Sequence, residues 1–152
     1  MATTSKSADN SGTFTDAEKA AMKERAAELK AAKGGGSKAK KAEADAKALA
    51  DKLAEMPAHE RAIGQGIHDI VAELAPDLLP KTWYGMPAWA RDGKVLCFFQ
   101  HGSKFETRYS TLGFNDLAAL DDGPMWPASF AILTWNDDVA ARVRELITRA
   151  TA

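Results

Sequence analysis

Two apolar segments joined by Asp92-Gly93 constrain the fold more than any other feature of the sequence. An Asp-Gly pair between strand-like segments is the strongest short-range signal for a tight β-hairpin. The second segment, Lys94–Gln100, is apolar on both faces, which is typical of a central strand covered on both sides. The sequence therefore predicts a sheet built around this hairpin.

Further strands are predicted on both sides of the hairpin. Lys81–Tyr84 and Ala88–Arg91 have the character of short strands, and we expect the Gly85-Met86-Pro87 kink between them to interrupt the ladder and bend the chain. Phe105–Leu112 alternates in polarity as a strand does, and Ser129–Trp135 predicts another strand. Most of these neighbours are expected to pair antiparallel.

Helices are predicted before and after the strands. Apolar residues within Ile63–Leu74 recur at helical spacing, and Asn136 is a suitable N-cap for a last helix at 137–151. A short helix is expected from Asn115 to about residue 121. A helix, a mostly antiparallel sheet and a second helix predict an α+β fold in the form of a two-layer sandwich.

The N-terminal third differs in composition from the rest. Residues 1–13 predict a disordered leader, and residues 14–56 an Ala/Lys-rich extension of two helices linked by a Gly-rich segment at 34–37. The compact domain is expected at 57–152. The extension has a thin apolar stripe, so we expect it to bury little and either to dock on the domain or to remain free.

Charge and cysteine usage indicate a cytoplasmic protein without a membrane segment. The single cysteine, Cys97, excludes an internal disulfide, and no stretch approaches the roughly 18 apolar residues of a membrane helix. Residues 1–41 hold nine Lys/Arg and five Asp/Glu, a net charge of +4, whereas residues 42–152 hold eleven and sixteen, a net of −5. The basic residues are interleaved with Ala and Glu, which favours a solubilising leader over a nucleic-acid partner.

Four motifs carry a resemblance to a known family. They are Ala75-Pro-Asp77, Trp83-Tyr-Gly-Met-Pro-Ala88, Asp92-Gly-Lys94, and Thr111-Leu-Gly-Phe114 after a segment containing Arg108. From residue 57 onward the chain resembles the YdhG-like family of small bacterial proteins, a domain of unknown function. Some members are described as frataxin-like intracellular iron chaperones. The resemblance implies an α+β fold, iron as a cargo, and an iron-accepting protein as a partner.

Three carboxylates are candidate iron ligands under this resemblance. Asp69, Glu73 and Asp77 follow each other at helical spacing on the side of the first domain helix expected to face solvent. Iron delivery requires exposed oxygen ligands that bind and release the ion. The row is sparse, so any metal binding should be weak, and a solvated helix face is the alternative interpretation.

Aromatic residues are concentrated in one part of the chain. Eleven of the twelve lie between Trp83 and Trp135. An aromatic pocket with one fixed charge suits a small anionic or planar ligand, and a plain aromatic core is the alternative. The residues predicted to form this pocket are Trp83, Tyr84, Met86, Trp89, Tyr109 and Trp126, with Arg108 or Lys81 as the charge.

Enzymatic activity is not indicated by the sequence. It contains no nucleophile with its base, no metal quartet and no phosphate-binding loop. Cys97 lies in the middle of a predicted buried strand and is expected to be a structural thiol, and Gly64-Gln65-Gly66 is expected to serve close helix packing. We therefore expect a non-enzymatic binding or chaperone-type module with frataxin-like iron handling. The alternative is a domain that binds small anionic ligands in the aromatic pocket with Arg108.

Overall fold

The computed structural model describes residues 13–34 and 36–152, so the predicted leader lies almost entirely outside the described residues, as does Gly35 of the linker. The described residues form five helices and a five-stranded antiparallel sheet, which confirms the α+β class. The elements are α1 (Asp16–Lys33), α2 (Lys38–Glu55), α3 (Ala58–Leu74), β1 (Leu79–Trp83), β2 (Met86–Arg91), β3 (Lys94–Gln100), α4 (Gly102–Phe105), β4 (Ser110–Phe114), β5 (Ser129–Ile132) and α5 (Asp137–Ala150). The strands lie in the sheet in chain order. Among these five helices, none combines the length and apolar character needed to span a bilayer.

Two tight turns of the same kind organise the first three strands. Asp92-Gly93 joins β2 to β3, with φ of 52° and 81°, so the predicted hairpin is confirmed. Tyr84-Gly85 joins β1 to β2, with φ of 54° and 74°. Positive φ at both central residues matches the right-handed twist of the paired strands and favours a two-residue connection.

The expected interruption at Gly85-Met86-Pro87 is confirmed at Gly85, which lies in the turn between β1 and β2, and is wrong for Met86 and Pro87. Met86 and Pro87 are the first residues of β2 and pair with Trp83 and Thr82 of β1. Hydrogen-bonded and non-hydrogen-bonded pairs alternate along a hairpin, and the pair next to the turn directs the nitrogen of Pro87 away from β1. On the other side of β2, pairing with β3 begins only at Ala88. The missing N–H of the proline therefore removes no ladder bond. The irregularity of β2 is instead a shift in register between Trp89 and Ala90.

The predicted strand Phe105–Leu112 is also partly wrong. Residues Gly102–Phe105 form the single-turn helix α4, Glu106 has a left-handed φ of 56°, and β4 begins only at Ser110. The buried carboxylate of Glu60 on α3 accepts hydrogen bonds from the Ser103 amide and hydroxyl, both at 2.6 Å. This tertiary cap holds the turn, which the local alternation of polarity did not reveal.

The helix expected from Asn115 is absent from this part of the chain, where residues 115–121 form turns and irregular structure. Asn115 binds back to β3 instead. Its amide nitrogen donates to the Leu96 carbonyl at 2.9 Å, and its Nδ2 donates to the Val95 carbonyl at 3.2 Å. Strand β5 is shorter than predicted and ends at Ile132.

The hydrophobic core extends N-terminal of the boundary predicted at residue 57. Leu49, Leu53 and Met56 of α2 are buried in the same cluster as the apolar side chains of α3, α5 and the sheet. Leu53 and Phe99 occupy the space that a side chain at the position of Gly64 would need. The ring of Trp135 occupies the space that a side chain at the position of Gly66 would need. The close packing predicted for these two glycines is confirmed, and α2 is part of the domain.

We predict that Leu53→Ala lowers the free energy of unfolding by about 2–5 kcal/mol, because it removes a side chain that is only 3% exposed and leaves a cavity. Leu29→Ala is the matched control, since Leu29 on α1 is 48% exposed and should change stability by less than about 1 kcal/mol. Urea denaturation followed by circular dichroism measures both. Equal losses would contradict the assignment of α2 to the core.

Candidate functional site

The candidate site lies on the sheet face opposite α3. On the face that α3 covers, Trp89 Nε1 donates to His68 Nδ1 at 3.2 Å. Side chains alternate along a strand, so Trp83 and Phe98 project from the other face. Their ring centroids lie 5.2 Å apart, and the Tyr84 ring stands edge-on to Trp83 at 5.0 Å. These rings form an aromatic platform beside the turn between β1 and β2.

Helix α1 is docked on this turn through Glu28. One carboxylate oxygen of Glu28 accepts the Tyr84 amide at 3.1 Å, and the other accepts the Gly85 amide at 3.0 Å. Arg25, one turn earlier, pairs with Glu28 at 3.4 Å and places its guanidinium 5.6 Å from the centroid of the Tyr84 ring. Charge-assisted hydrogen bonds of this kind are stronger than neutral ones, so Glu28 fixes α1 over the turn.

Glu24 supplies a second attachment of α1. Its carboxylate pairs with Lys52 of α2 at 2.6 Å and with Lys104 of α4. Partial burial favours a raised pKa for Glu24, but the hydrogen bonds and charges of Lys104 and Lys52 outweigh it and lower this pKa below its usual value. The carboxylate therefore stays ionised and ties three helices together.

A basic cleft of about 450 Å³ opens beside the platform. Its charged and aromatic walls come from Arg25 of α1, Lys81 of β1, Trp83, Lys94 of β3, and Asp116. Gly93, Val95, Asn115 and Leu117 complete the lining. Three cations face one carboxylate next to an indole ring, an arrangement that can hold an anion attached to a planar group.

A second hollow, of about 390 Å³, lies against Tyr84 and is mainly apolar. Phe14, Met22 and Phe105 line it together with Tyr84 and Met86. Ala21, Glu18 and Gln100 complete the wall. The α1 helix contributes to both cavities, and of these two the basic cleft is the one that combines an aromatic wall with several cations.

The structure divides the predicted aromatic pocket. Trp83, Tyr84 and Met86 lie together at the turn, but Trp83 lines the basic cleft, whereas Tyr84 and Met86 line the apolar hollow. Trp89 is fully buried on the opposite sheet face, and Trp126 lies near α5, where it lines a different groove. Trp83 pairs with Met86, which lies three positions before Trp89 on β2. Side chains alternate between the two faces of a sheet along a strand, so Trp83 and Trp89 project from opposite faces.

Arg108 does not join the turn. It is exposed in the segment before β4, and its guanidinium lies 5.1 Å from the ring of its neighbour Tyr109. Neither residue lines the basic cleft or the apolar hollow. The predicted convergence of Arg108 with the Trp83–Trp89 segment is therefore not observed among the described residues, because Arg108 precedes β4 and is not part of the sheet.

The charges that the cleft does contain were only partly foreseen. Lys81 was considered as the fixed charge, whereas Lys94 and Arg25 were missed. Lys94 could have been found from its position directly after the Asp92-Gly93 turn. This position makes it the first residue of β3, where it pairs with Arg91 at the end of β2. Arg25 has no local signal, because its place in the cleft depends on the docking of α1.

The predicted metal ligands have separate partners. Asp69 accepts from Gln65 at 2.8 Å, and Asp77 pairs with Arg91 at 2.9 Å. Glu73 forms two bonds with Arg144, at 2.7 and 3.1 Å, and this hydrogen bonding lowers the pKa of Glu73. Within residues 13–34 and 36–152, no group of three or more His, Cys, Asp or Glu side chains is placed to hold a metal ion. The structure does not bring the three carboxylates together.

Cys97 and His101 are both buried. Burial raises the pKa of the Cys97 thiol to about 12, so the thiol is neutral near pH 7, and the prediction of a buried thiol is confirmed. Burial also lowers the pKa of His101, which is 8% exposed, and its Nδ1 has no hydrogen-bond partner among the described residues. Neither group faces the cleft.

Alanine at Gly85 should be more destabilising than alanine at Gly93. Both glycines have positive φ, so both substitutions carry a strain of about 1 kcal/mol. A Cβ at Gly85 would also collide with the Glu24 carboxylate and disturb its pair with Lys104, whereas a Cβ at Gly93 meets nothing within 4 Å. We expect Gly85→Ala to lower the unfolding free energy by about 1–3 kcal/mol more than Gly93→Ala in denaturant titrations. Equal effects would show that α1 does not lie over the turn.

Comparisons with known proteins add no relative. A scan against protein-family models, a search of curated proteins and a search of solved structures each gave no match to this chain. The resemblance to the YdhG-like family therefore stays a prediction from the motifs.

Proposed function

We propose that the protein binds a small anion carrying a planar group in the basic cleft. The observation that carries the proposal is that Arg25, Lys81 and Lys94 line the same cavity as Trp83, with a volume of about 450 Å³. Pockets of this size accommodate metabolite-sized ligands. The indole would stack on the planar group, and the cations would bind the anionic group.

The charge balance of the cleft supports an anionic ligand. Among the described residues, Lys81 and Lys94 form no ion pair, whereas Arg25 is partly neutralised by Glu28. Asp116 is the only acidic residue in the lining. Cations without a protein partner raise the local concentration of anions and gain most from binding one.

Iron handling, with an iron-accepting partner, has less support than anion binding. Glu73 and Asp77 are each paired with an arginine, so an iron ion would have to displace Arg144 and Arg91. These pairs are exposed and contribute little to stability, but they lower the negative charge that would attract a cation. We therefore place the function at the cleft and assign binding without a catalytic step.

The proposal includes the layering and setting expected from the sequence. We assign α3 and α5 to one layer over the sheet, in the sense of a two-layer sandwich, which leaves the face bearing Trp83 and Phe98 to α1 and the ligand. Contacts between α3 and α5 support this assignment. A cytoplasmic setting, with its supply of small phosphorylated and carboxylated compounds, completes the proposal.

Isothermal titration calorimetry with three probes tests the proposal. Inorganic phosphate offers only charge, benzoate offers a ring with a carboxylate, and adenosine monophosphate offers a larger ring system with a phosphate. We expect affinity to increase from phosphate to adenosine monophosphate. Lys81→Ala and Lys94→Ala should each weaken binding about tenfold, which corresponds to the loss of one charged contact of about 1.4 kcal/mol.

Arg108→Ala is the matched control, because Arg108 is a cation next to an aromatic residue but lies outside the cleft. It should bind the probes as the unchanged protein does. Loss of binding in Arg108→Ala with retention in both lysine variants would overturn the assignment of the cleft. Absence of heat with all three probes would contradict an anion-binding function.

A further inference from the structure

Strand β5 forms an unprotected edge of the sheet. It pairs only with β4, so the backbone groups on its other side meet no strand among the described residues. The opposite edge strand, β1, contains Pro80 and is packed along α2. Residues 127–136 carry no charge. Natural proteins usually protect an edge with a proline, a charge or a covering element, and β5 has none within its length.

The two most exposed large apolar side chains of the described residues lie on either side of β5 in the sequence. Met125 and Leu133, which flank β5 in sequence, are 86% and 66% exposed. A groove of about 500 Å³ runs between β5 and α5, and a second of about 380 Å³ adjoins it at Trp126. Phe130 and Leu146 line both grooves, so they form one continuous flank. Apolar surface of this kind is typical of a protein interface.

Helix α5 presents a row of charges along the same flank. Asp138, Arg142, Glu145 and Arg149 lie on one side of the helix at spacings of four, three and four residues, and all are exposed. The signs alternate along the row. If a second α5 helix lies antiparallel beside the first, Asp138 of one helix faces Arg149 of the other, and Arg142 faces Glu145. The row is therefore complementary to a second copy of itself in the antiparallel orientation.

We propose that two copies of this chain associate through β5 and α5 about a two-fold axis. The two β5 strands pair antiparallel and join the two sheets into one of ten strands. The two α5 helices lie side by side with their charge rows matched. A symmetric dimer of this type uses the same patch on both copies, which is the commonest form of homo-oligomer.

The register of β5 fits this arrangement. The Phe114 amide donates to the Ala128 carbonyl at 2.8 Å, and ladder bonds alternate along an antiparallel pair. Phe130 and Ile132 therefore direct their backbone groups to β4, whereas Ser129, Ala131 and Leu133 direct theirs outward. An axis next to Ala131 pairs Ala131 with its copy and Ser129 with Leu133 of the second copy.

The same axis serves the helices. Arg142 and Leu146 border the groove lined by residues 129–134, so the middle of the charge row lies at the level of the middle of the strand. On the face towards α5, Phe130 of one copy comes beside Ile132 of the second copy. This contact covers the exposed part of Phe130 and fills the grooves with apolar side chains.

Sedimentation equilibrium across a range of protein concentrations tests the proposal. The unchanged chain should approach twice the mass of 16.3 kDa as concentration rises. Ala131→Pro removes an outward N–H that the monomer does not use, so it should leave the monomer folded and abolish association. Leu79→Lys on the opposite edge, where Leu79 is 53% exposed, is the matched control and should still associate.

A charge exchange provides a second test that does not alter the strand. Arg142→Glu places like charges opposite Glu145 of the second copy at two symmetric positions and should weaken the dimer about tenfold or more. Adding Glu145→Arg restores opposite signs and should restore association. A single-chain mass at every concentration overturns the proposal. Association that survives both Ala131→Pro and Arg142→Glu would overturn it as well.

Discussion

The carboxylate of Glu28, bound to the amides of Tyr84 and Gly85, is the interaction on which the candidate site depends. It holds α1 across the sheet face that α3 leaves open. Arg25 can then form a wall of the basic cleft, and Glu24 can reach Lys52 and Lys104. Without this bridge, the cleft would lose one of its three cations and the aromatic platform would lie open to solvent.

Local patterns were sufficient to predict much of the fold. The Asp92-Gly93 hairpin and the apolar stripe of α3 each depend on neighbouring residues alone. Asn136 accepts the Val139 amide at 2.9 Å, as expected of an N-cap. The turn at Tyr84-Gly85 was missed because an aromatic residue rarely adopts a positive φ, and its strain is compensated by Glu28 from a distant helix. The start of β4 was predicted too early because the cap that holds α4 comes from Glu60 on the distant helix α3.

Trp83 and Lys81 of the basic cleft were predicted from the sequence, whereas Lys94 and Arg25 were not. Trp83, Tyr84 and Met86 are close in sequence, so they were expected to lie near one another, although the hairpin that joins them was not predicted. Arg108 was assigned to the site on the expectation of a strand at Phe105–Leu112, and that expectation was wrong for residues 105–109. The cations of the cleft come from α1, β1 and β3, and their meeting requires the tertiary arrangement that no local spacing encodes. The core also includes side chains of α2, which lies on the N-terminal side of the boundary predicted at residue 57.

Amide hydrogen exchange measured by NMR tests the docking of α1 most directly. The account predicts that the Tyr84 and Gly85 amides exchange about tenfold or more slowly than the Gly93 amide, which lies in a turn of the same kind but has no carboxylate cap. Glu28→Ala should remove this protection and leave that of the β3 amides unchanged. Exchange at Tyr84 and Gly85 as fast as at Gly93 in the unaltered protein would contradict the account.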